Sequence, residues 1–260
     1  MITARDGCGL FAGVTGEGEA LLLIPGLAGS ALSWNEHAPV LAQRFKVIVM
    51  DHRGAGRSDR PEQPYSVELL ARDAVDVLDH FKVARAHLVG HSTGGAIAQV
   101  MAIDYPDRVN RMILSGSWAK PDAQFRLLFE TRLAILERSG PEAYAAISQF
   151  IGGPPDWIKD HIPIVQAAIA NAKADLTPIA VAAARIRMVM AFDRLADLHR
   201  VTAPSLVIAA TDDVIVPFHL SEQLVRAVAG AQLVRTSGGH FFPRVNPRLF
   251  NETVASFIAG

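Results

Sequence analysis

Leu88-Val89-Gly90-His91-Ser92-Thr93-Gly94-Gly95 is the stretch on which the fold of this 260-residue chain turns. A strand-like run, Ala86 to Val89, enters it, and a helix-like run, Ala96 to Tyr105, leaves it. Between them stands G-x-S-x-G, as Gly90, His91, Ser92, Thr93 and Gly94. In a strand-turn-helix passage this pattern reads as a nucleophile elbow, a strained turn that pushes the serine hydroxyl into the open. Small residues flank the serine because a Cβ there would collide with neighbouring backbone. The same pattern also fits a glycine-rich turn with an incidental serine. The choice depends on whether the chain supplies a base, an orienting acid and an oxyanion hole.

Upstream of the elbow, Ala20-Leu21-Leu22-Leu23-Ile24 and Lys46-Val47-Ile48-Val49-Met50 are continuous apolar runs. Such runs suit strands covered on both faces, as in a parallel sheet. The first ends in the turn Pro25-Gly26-Leu27-Ala28-Gly29-Ser30, the second in Asp51-His52-Arg53-Gly54-Ala55-Gly56-Arg57-Ser58. Residues 1–19 are rich in glycine and read as a short hairpin. Helical spacing follows over 33–43 and over 66–81, the latter through Val67, Leu70, Ala74, Val77, Leu78 and Phe81. Val109 to Leu114 is a further strand. Alternating strands and helices predict an α/β fold with a mostly parallel central sheet flanked by helices.

At Trp118 the rhythm changes. Residues 119–197 carry helical patterns broken at Ser139-Gly140-Pro141 and Gly152-Gly153-Pro154-Pro155, with no strand. An all-helical insertion between strands of a parallel sheet predicts a cap over the catalytic face. The core domain is then 1–118 and 198–260, and the cap 119–197. Alternation resumes with a strand over 205–210, a helix over 218–228, a strand over 232–235 and a helix over 247–258.

Catalytic groups in open α/β sheets gather beyond the carboxyl ends of the strands. His240 stands in the glycine turn Ser237-Gly238-Gly239-His240 after a late strand, and its imidazole titrates near neutrality. The orienting acid is Asp212 or Asp213, after the strand over 205–210. Either gives the chain order serine, acid, histidine. An oxyanion hole needs backbone N–H groups aimed at the developing alkoxide. Thr93, after the nucleophile, and Leu27, in the turn after the first buried strand, are the candidates. Two other glycine patterns carry nothing. Gly26-x-x-Gly29-Ser30 lacks the G-K-[ST] ending of a phosphate loop, and Gly13-Val14-Thr15-Gly16-Glu17-Gly18 has no strand-to-helix passage around it.

Half the residues are hydrophobic and the net charge is −1, so there is no broad electrostatic footprint for nucleic acid or an anionic membrane. The single cysteine, Cys8, excludes an internal disulfide and a cysteine-based metal cluster. Met1-Ile2-Thr3-Ala4-Arg5-Asp6 lacks the charged-then-apolar pattern of a signal peptide. These features predict a cytoplasmic location and a small-molecule substrate, with no metal or organic cofactor, and they leave room for a homodimer.

With these residues placed, the chain resembles the α/β-hydrolase fold family over essentially its whole length. The motifs are Leu23-Ile24-Pro25-Gly26-Leu27, Asp51-His52-Arg53-Gly54-Ala55-Gly56-Arg57-Ser58, Gly90-His91-Ser92-Thr93-Gly94-Gly95, Asp213-Val214-Ile215-Val216-Pro217 and Gly239-His240. The D-x-x-x-P spacing to Pro217 matches the family's acid and favours Asp213, leaving Asp212 to cap the following turn. In some layouts the acid follows the strand before the cap; here that place reads Ser115-Gly116-Ser117-Trp118, without a carboxylate. Many members have His-Gly where this chain has Pro25-Gly26, so a side-chain contact at the floor of the site is absent while the Leu27 donor survives. Within the family the chain is most similar to the small cofactor-free hydrolases near the 3-oxoadipate enol-lactonases and the aminoacrylate hydrolases of pyrimidine utilisation. The residues behind this are Gly26-Leu27-Ala28-Gly29-Ser30, Ser115-Gly116-Ser117-Trp118, Ala123-Gln124-Phe125-Arg126 and Ala210-Thr211-Asp212-Asp213.

The resemblance implies hydrolysis of a small carbonyl compound (ester, lactone or amide/enamide), often carboxylate-bearing, through an acyl-enzyme on Ser92, His240 and Asp213. Acyl transfer to another acceptor, or cofactor-free C–C cleavage, would use the same triad; a non-catalytic ligand receptor on this scaffold is the remote alternative. Trp118 and Trp157 are candidate pocket walls. Arg126 is the candidate for substrate binding, among four arginines (with Arg132, Arg185 and Arg187) that could meet a carboxylate bidentately.

Overall fold

The computed structural model describes residues 1–260. The apolar runs do form the sheet. In chain order the strands are β1 (Ile2–Thr3), β2 (Gly9–Leu10), β3 (Ala12–Thr15), β4 (Ala20–Ile24), β5 (Lys46–Met50), β6 (Ala86–His91), β7 (Val109–Ser115), β8 (Ser205–Ala210) and β9 (Gln232–Thr236). The helices are α1 (Ala38–Leu41), α2 (Val67–His80), α3 (Thr93–Asp104), α4 (Ala123–Ser139), α5 (Pro141–Gly152), α6 (Pro155–Asp160), α7 (Ile162–Leu176), α8 (Ile179–Ala191), α9 (Phe218–Ala227), α10 (Phe242–Val245) and α11 (Pro247–Ala259). The seven-stranded sheet has the order β3-β5-β4-β6-β7-β8-β9, parallel except for the edge strand β3. No helix is long and apolar enough to cross a membrane.

Side chains alternate across each strand, so both faces need cover. Leu22, Ile24, Leu88, Met112, Leu114 and Val207 point to one layer, which holds α2, α3 and α9. Leu21, Leu23, Val89, Ile113, Leu206 and Ile208 point to the other, with Trp34, Leu41 and Phe250, Val254 and Ile258 of α11. In α3 every residue but Asp104 is buried. A helix apolar all round belongs inside a protein, and this one backs directly onto the elbow.

β4 lies between β5 and β6. The chain therefore leaves β4 toward one side of the sheet and then crosses to the other. Ligands of open α/β sheets bind at such a switch point, outside the carboxyl ends of the strands. Here the Pro25–Gly29 turn and Ser92 stand on either side of it, with Ile24 paired to Gly90.

Three elements differ from expectation. The helix expected over 33–43 is instead a 3-10 turn, Ala31–Trp34, followed by the short α1. Pro39 sits in the first turn of α1, where its missing N–H costs nothing, but it cannot continue a helix from upstream. α3 starts at Thr93 rather than Ala96: Gly94 packs against the end of β4 and Gly95 against Ser117, close approaches that only glycine allows. The expected N-terminal hairpin exists as β1 and β2, but Ala12–Thr15 goes on to pair antiparallel with β5.

The Asp51–Ser58 loop at the end of β5 is held by ion pairs. Arg53 is buried and donates through Nε and Nη2 to Asp73, at 2.7 and 2.6 Å, and through Nη1 to Asp6 at 2.7 Å. Without Asp73 the buried guanidinium keeps only the half-exposed Asp6, and breaking a buried pair costs up to about 3–5 kcal/mol. Asp73→Ala therefore lowers the unfolding free energy by about that amount in urea titration; a loss below about 1 kcal/mol contradicts the assignment of this pair as a structural tie.

Candidate active site

Ser92 follows the last residue of β6 and precedes the first of α3, with φ 54° and ψ −119°. Only it and Lys82 have positive φ outside glycine. The turn stays tight because two neighbours lack side chains. A Cβ on Gly90 would overlap the Gly94 carbonyl, and one on Gly94 would overlap that of Ile24. The Ser92 backbone is then clamped: its N–H donates to Ser115 O at 2.8 Å, and Ser117 Oγ donates to its carbonyl at 2.9 Å.

The loop after β8 brings Asp213 to His240, in the loop after β9. His240 Nδ1 lies 2.7 Å from Asp213 Oδ2, and both residues are buried. Asp213 Oδ1 accepts from the N–H groups of Ile215 and Val216 at 2.8 and 2.9 Å. A carboxylate only accepts, so the imidazole proton sits on Nδ1 and Nε2 is left as a base. Asp212 does something different from the expected turn cap. Its carboxylate accepts the Gly238 N–H at 3.0 Å, which ties the glycine turn before His240 back to β8.

Ser92 meets this pair through its neighbour. The His91 ring packs on His240 with centroids 4.8 Å apart, and His91 Nδ1 lies 3.0 Å from Ser115 Oγ. No hydrogen bond joins Ser92 Oγ to the His240 ring. Burial, reinforced by His240, holds His91 well below the usual histidine range, so it is neutral at pH 7. A Cβ on Gly116 would lie 3.4 Å from His91 Cε1 and 3.5 Å from Asp213 Oδ2. The loop after β7 is thus a wall shared by His91 and the acid.

Opposite, Gly29 N–H donates to Gly26 O at 2.9 Å and closes a turn with Leu27 inside it. A Cβ on Gly26 would come within 3.3 Å of Ser92 Cβ, so this turn lies directly against the serine. The Leu27 N–H donates to no protein acceptor. Thr93 opens α3, where the first N–H groups have no partner within the helix.

The other candidates scatter. Trp118 is fully buried and packs on Phe125 and Phe192, at 4.7 and 6.2 Å between centroids. Trp157 stacks on His161 at 4.3 Å and lies under Arg244, 4.9 Å from its ring. Arg126 is exposed and donates to Met190 O at 2.7 Å. Arg187 pairs with Glu137 on the surface. Arg132 is held by the Tyr144 and Ser148 hydroxyls, both at 3.0 Å. Sequence reasoning did not single out His91, Ser115 or Ser117. His91 was readable as the residue inside G-x-S-x-G; the two serines stand out only through contacts 24 or 25 residues away.

A sequence model described as alpha/beta hydrolase fold matches residues 19–154. A Caulobacter vibrioides protein named "Putative carbamate hydrolase RutD" is 38% identical over 244 residues, 93% of this chain and 91% of the relative. The crystal structure of the enol-lactonase from Burkholderia xenovorans LB400 superposes with a TM-score of 0.90 at 25% identity, covering 98% of both chains. A hydrolase from Pseudomonas aeruginosa superposes with a TM-score of 0.90 at 27% identity, covering 100% of this chain and 97% of that one.

Proposed function

This chain belongs to the α/β-hydrolase fold family and is a hydrolase of that fold, and we propose that it works as a serine hydrolase with Ser92 as nucleophile, His240 as base and Asp213 as orienting acid. One observation carries the reading. A 2.7 Å Asp213–His240 pair and a serine on a strained turn lie beyond the carboxyl ends of β8, β9 and β6, parallel strands of one sheet. In that arrangement His240 Nε2 takes the Ser92 proton as Oγ attacks a carbonyl carbon. Asp213 keeps the Nδ1 tautomer and stabilises the imidazolium. The alkoxide of the tetrahedral intermediate accepts from Leu27 and Thr93 N–H. Each such donor typically lowers the barrier by on the order of 3 kcal/mol. His240 returns the proton to the leaving alcohol or amine. Water then repeats the attack on the acyl-enzyme and releases the acid.

We read the helical insertion, residues 119–197, as a cap. Two contacts support this. Phe241, next to His240, donates its N–H to Gly152 O at 2.8 Å, and Arg244 of α10 lies over Trp157 of α6. The insertion thus rests on the loop that carries the base. Among small carbonyl compounds we place amide-type C–N substrates ahead of lactones. The ground is the carbamate hydrolase name of relatives that align over more than nine-tenths of this chain.

The test is a fluorophosphonate probe followed by a panel of p-nitrophenyl esters, lactones and small enamides. The wild-type chain takes up one equivalent, with the added mass on the peptide that contains Ser92. Labelling elsewhere, or no turnover of any panel member, defeats the proposal.

A further inference from the structure

The ring of the residue before Ser92 stands where three loops of the site meet. His91 is the last residue of β6. Its ring lies on that of His240, with centroids 4.8 Å apart and planes 42° apart, a separation at which aromatic rings attract. Phe242, two residues further on, meets it nearly perpendicular, at 5.9 Å and 78°. Its two edges face the other loops. A Cβ on Gly26 would come 3.7 Å from His91 Cδ2, and one on Gly116 would come 3.4 Å from Cε1. Gly26 begins the turn that holds Leu27, and Gly116 belongs to the wall beside Asp213.

One hydrogen bond sets the angle of this ring. Ser115 is fully buried on β7, opposite His91 in the sheet register, and its Oγ lies 3.0 Å from His91 Nδ1. The hydroxyl makes no other hydrogen bond. A hydroxyl can donate or accept, so it holds Nδ1 in either neutral tautomer. Space alone would be filled by an apolar ring, which needs no buried hydroxyl beside it. A polar group that is costly to bury, and that bonds a single ring nitrogen, fixes an orientation instead. The other histidines of the interior are occupied elsewhere. His37 bonds Asn251 at 2.8 Å, and His87 lies 3.6 Å from Glu19.

His240 needs such a support. Its Nδ1 is tied to Asp213, but a ring held at one atom can still tilt about that bond. Nε2 must face Ser92 for proton transfer, and a misplacement of about 1 Å costs on the order of 10²-fold in rate.

We propose that His91 is a positioning residue: locked by Ser115, its ring is the second support of His240 and keeps Nε2 turned toward Ser92. This rests on Ser92 being the nucleophile and His240 the base. The titratable groups around His91 are His240 and His37, with Asp213 across Gly116. A charge on this ring would oppose the imidazolium that forms on His240. Burial keeps it neutral.

A double-mutant cycle tests this, read by the second-order rate of fluorophosphonate labelling at Ser92 and by kcat on p-nitrophenyl butyrate. His91→Ala lowers both about 10- to 100-fold, with KM within about threefold of wild type. Ser115→Ala lowers both about 3- to 10-fold, as loss of one hydrogen bond predicts. The double variant is no slower than His91→Ala alone, because the hydroxyl acts only through the ring. His91→Phe returns a flat ring to His240 and recovers part of the loss. Losses that add in the double variant overturn the proposal, and so does a labelling rate in His91→Ala within about threefold of wild type. A measurement on the wild-type protein needs no variant to fold. Between about pH 5 and 8 the ring nitrogens of His91 keep the NMR shifts of one neutral tautomer, and its ring protons show a nuclear Overhauser contact to those of His240. Titration of His91 in that window, or absence of the contact, overturns the support alone. Absence of any labelling at Ser92 in the wild-type chain overturns the nucleophile instead.

Discussion

Ser92→Ala lowers kcat by about four to six orders of magnitude on any substrate the wild-type chain turns over, while the protein folds normally. The size follows from the role proposed for Oγ: without it no acyl-enzyme forms, and what remains is binding plus the oxyanion donors. The fold survives because the clamp on this residue is made by its backbone, through Ser115 O and Ser117 Oγ, and not by its hydroxyl. Alanine meets the same φ of 54° with a side chain of similar bulk. Steady-state kinetics with a fluorophosphonate titration checks this. A variant that keeps more than about one per cent of wild-type kcat, or still labels stoichiometrically, rules out Ser92 as the nucleophile.

Asp213→Asn lowers kcat by about 10⁴-fold, the loss expected when the imidazole is held in the wrong tautomer. The local hydrogen bonds specify the direction. The Ile215 and Val216 N–H groups need an acceptor, so they keep the amide oxygen of the substituted side chain. The amide NH₂ then faces His240 Nδ1 and donates to it. The ring proton moves to Nε2, the atom that must receive the proton from Ser92. Asp212→Asn is the control. Its amide oxygen can still accept the Gly238 N–H, so kcat stays within about tenfold of wild type. Equal losses at both positions would exclude the tautomer argument.

Legibility in the sequence followed the range of the forces involved. β4, β5 and β8 begin and end where the apolar runs do, because a strand covered on both faces leaves a continuous hydrophobic trace. β3 was not readable. Ala12-Gly13-Val14-Thr15 has little bulk and no clear alternation, and it becomes a strand only because the β5 edge offers backbone partners. The all-helical character of 119–197 was readable from its spacing and its proline and glycine breaks. Which of its arginines are buried was not: Arg132 and Arg185 are, Arg126 and Arg187 are not, and all four stand on helices α4 and α8.

By itself the sequence determined the strand-turn-helix passage around Ser92 and the parallel layout, and placed Asp213 and His240 after later strands. These follow from local patterns: glycines that permit close approach, and hydrophobic runs whose length and period select a strand or a helix. The D-x-x-x-P spacing favoured Asp213, and the tertiary structure brings it to 2.7 Å from His240 across 27 residues; the structure alone decided that Trp118 is a core side chain. It also decided that Arg185 reaches the Gly54 carbonyl across 131 residues and ends without a counter-ion. The physical reason is that hydrogen-bond partners and dielectric surroundings are set by how separate elements pack. A local pattern fixes where a strand ends, but not what its loop will meet.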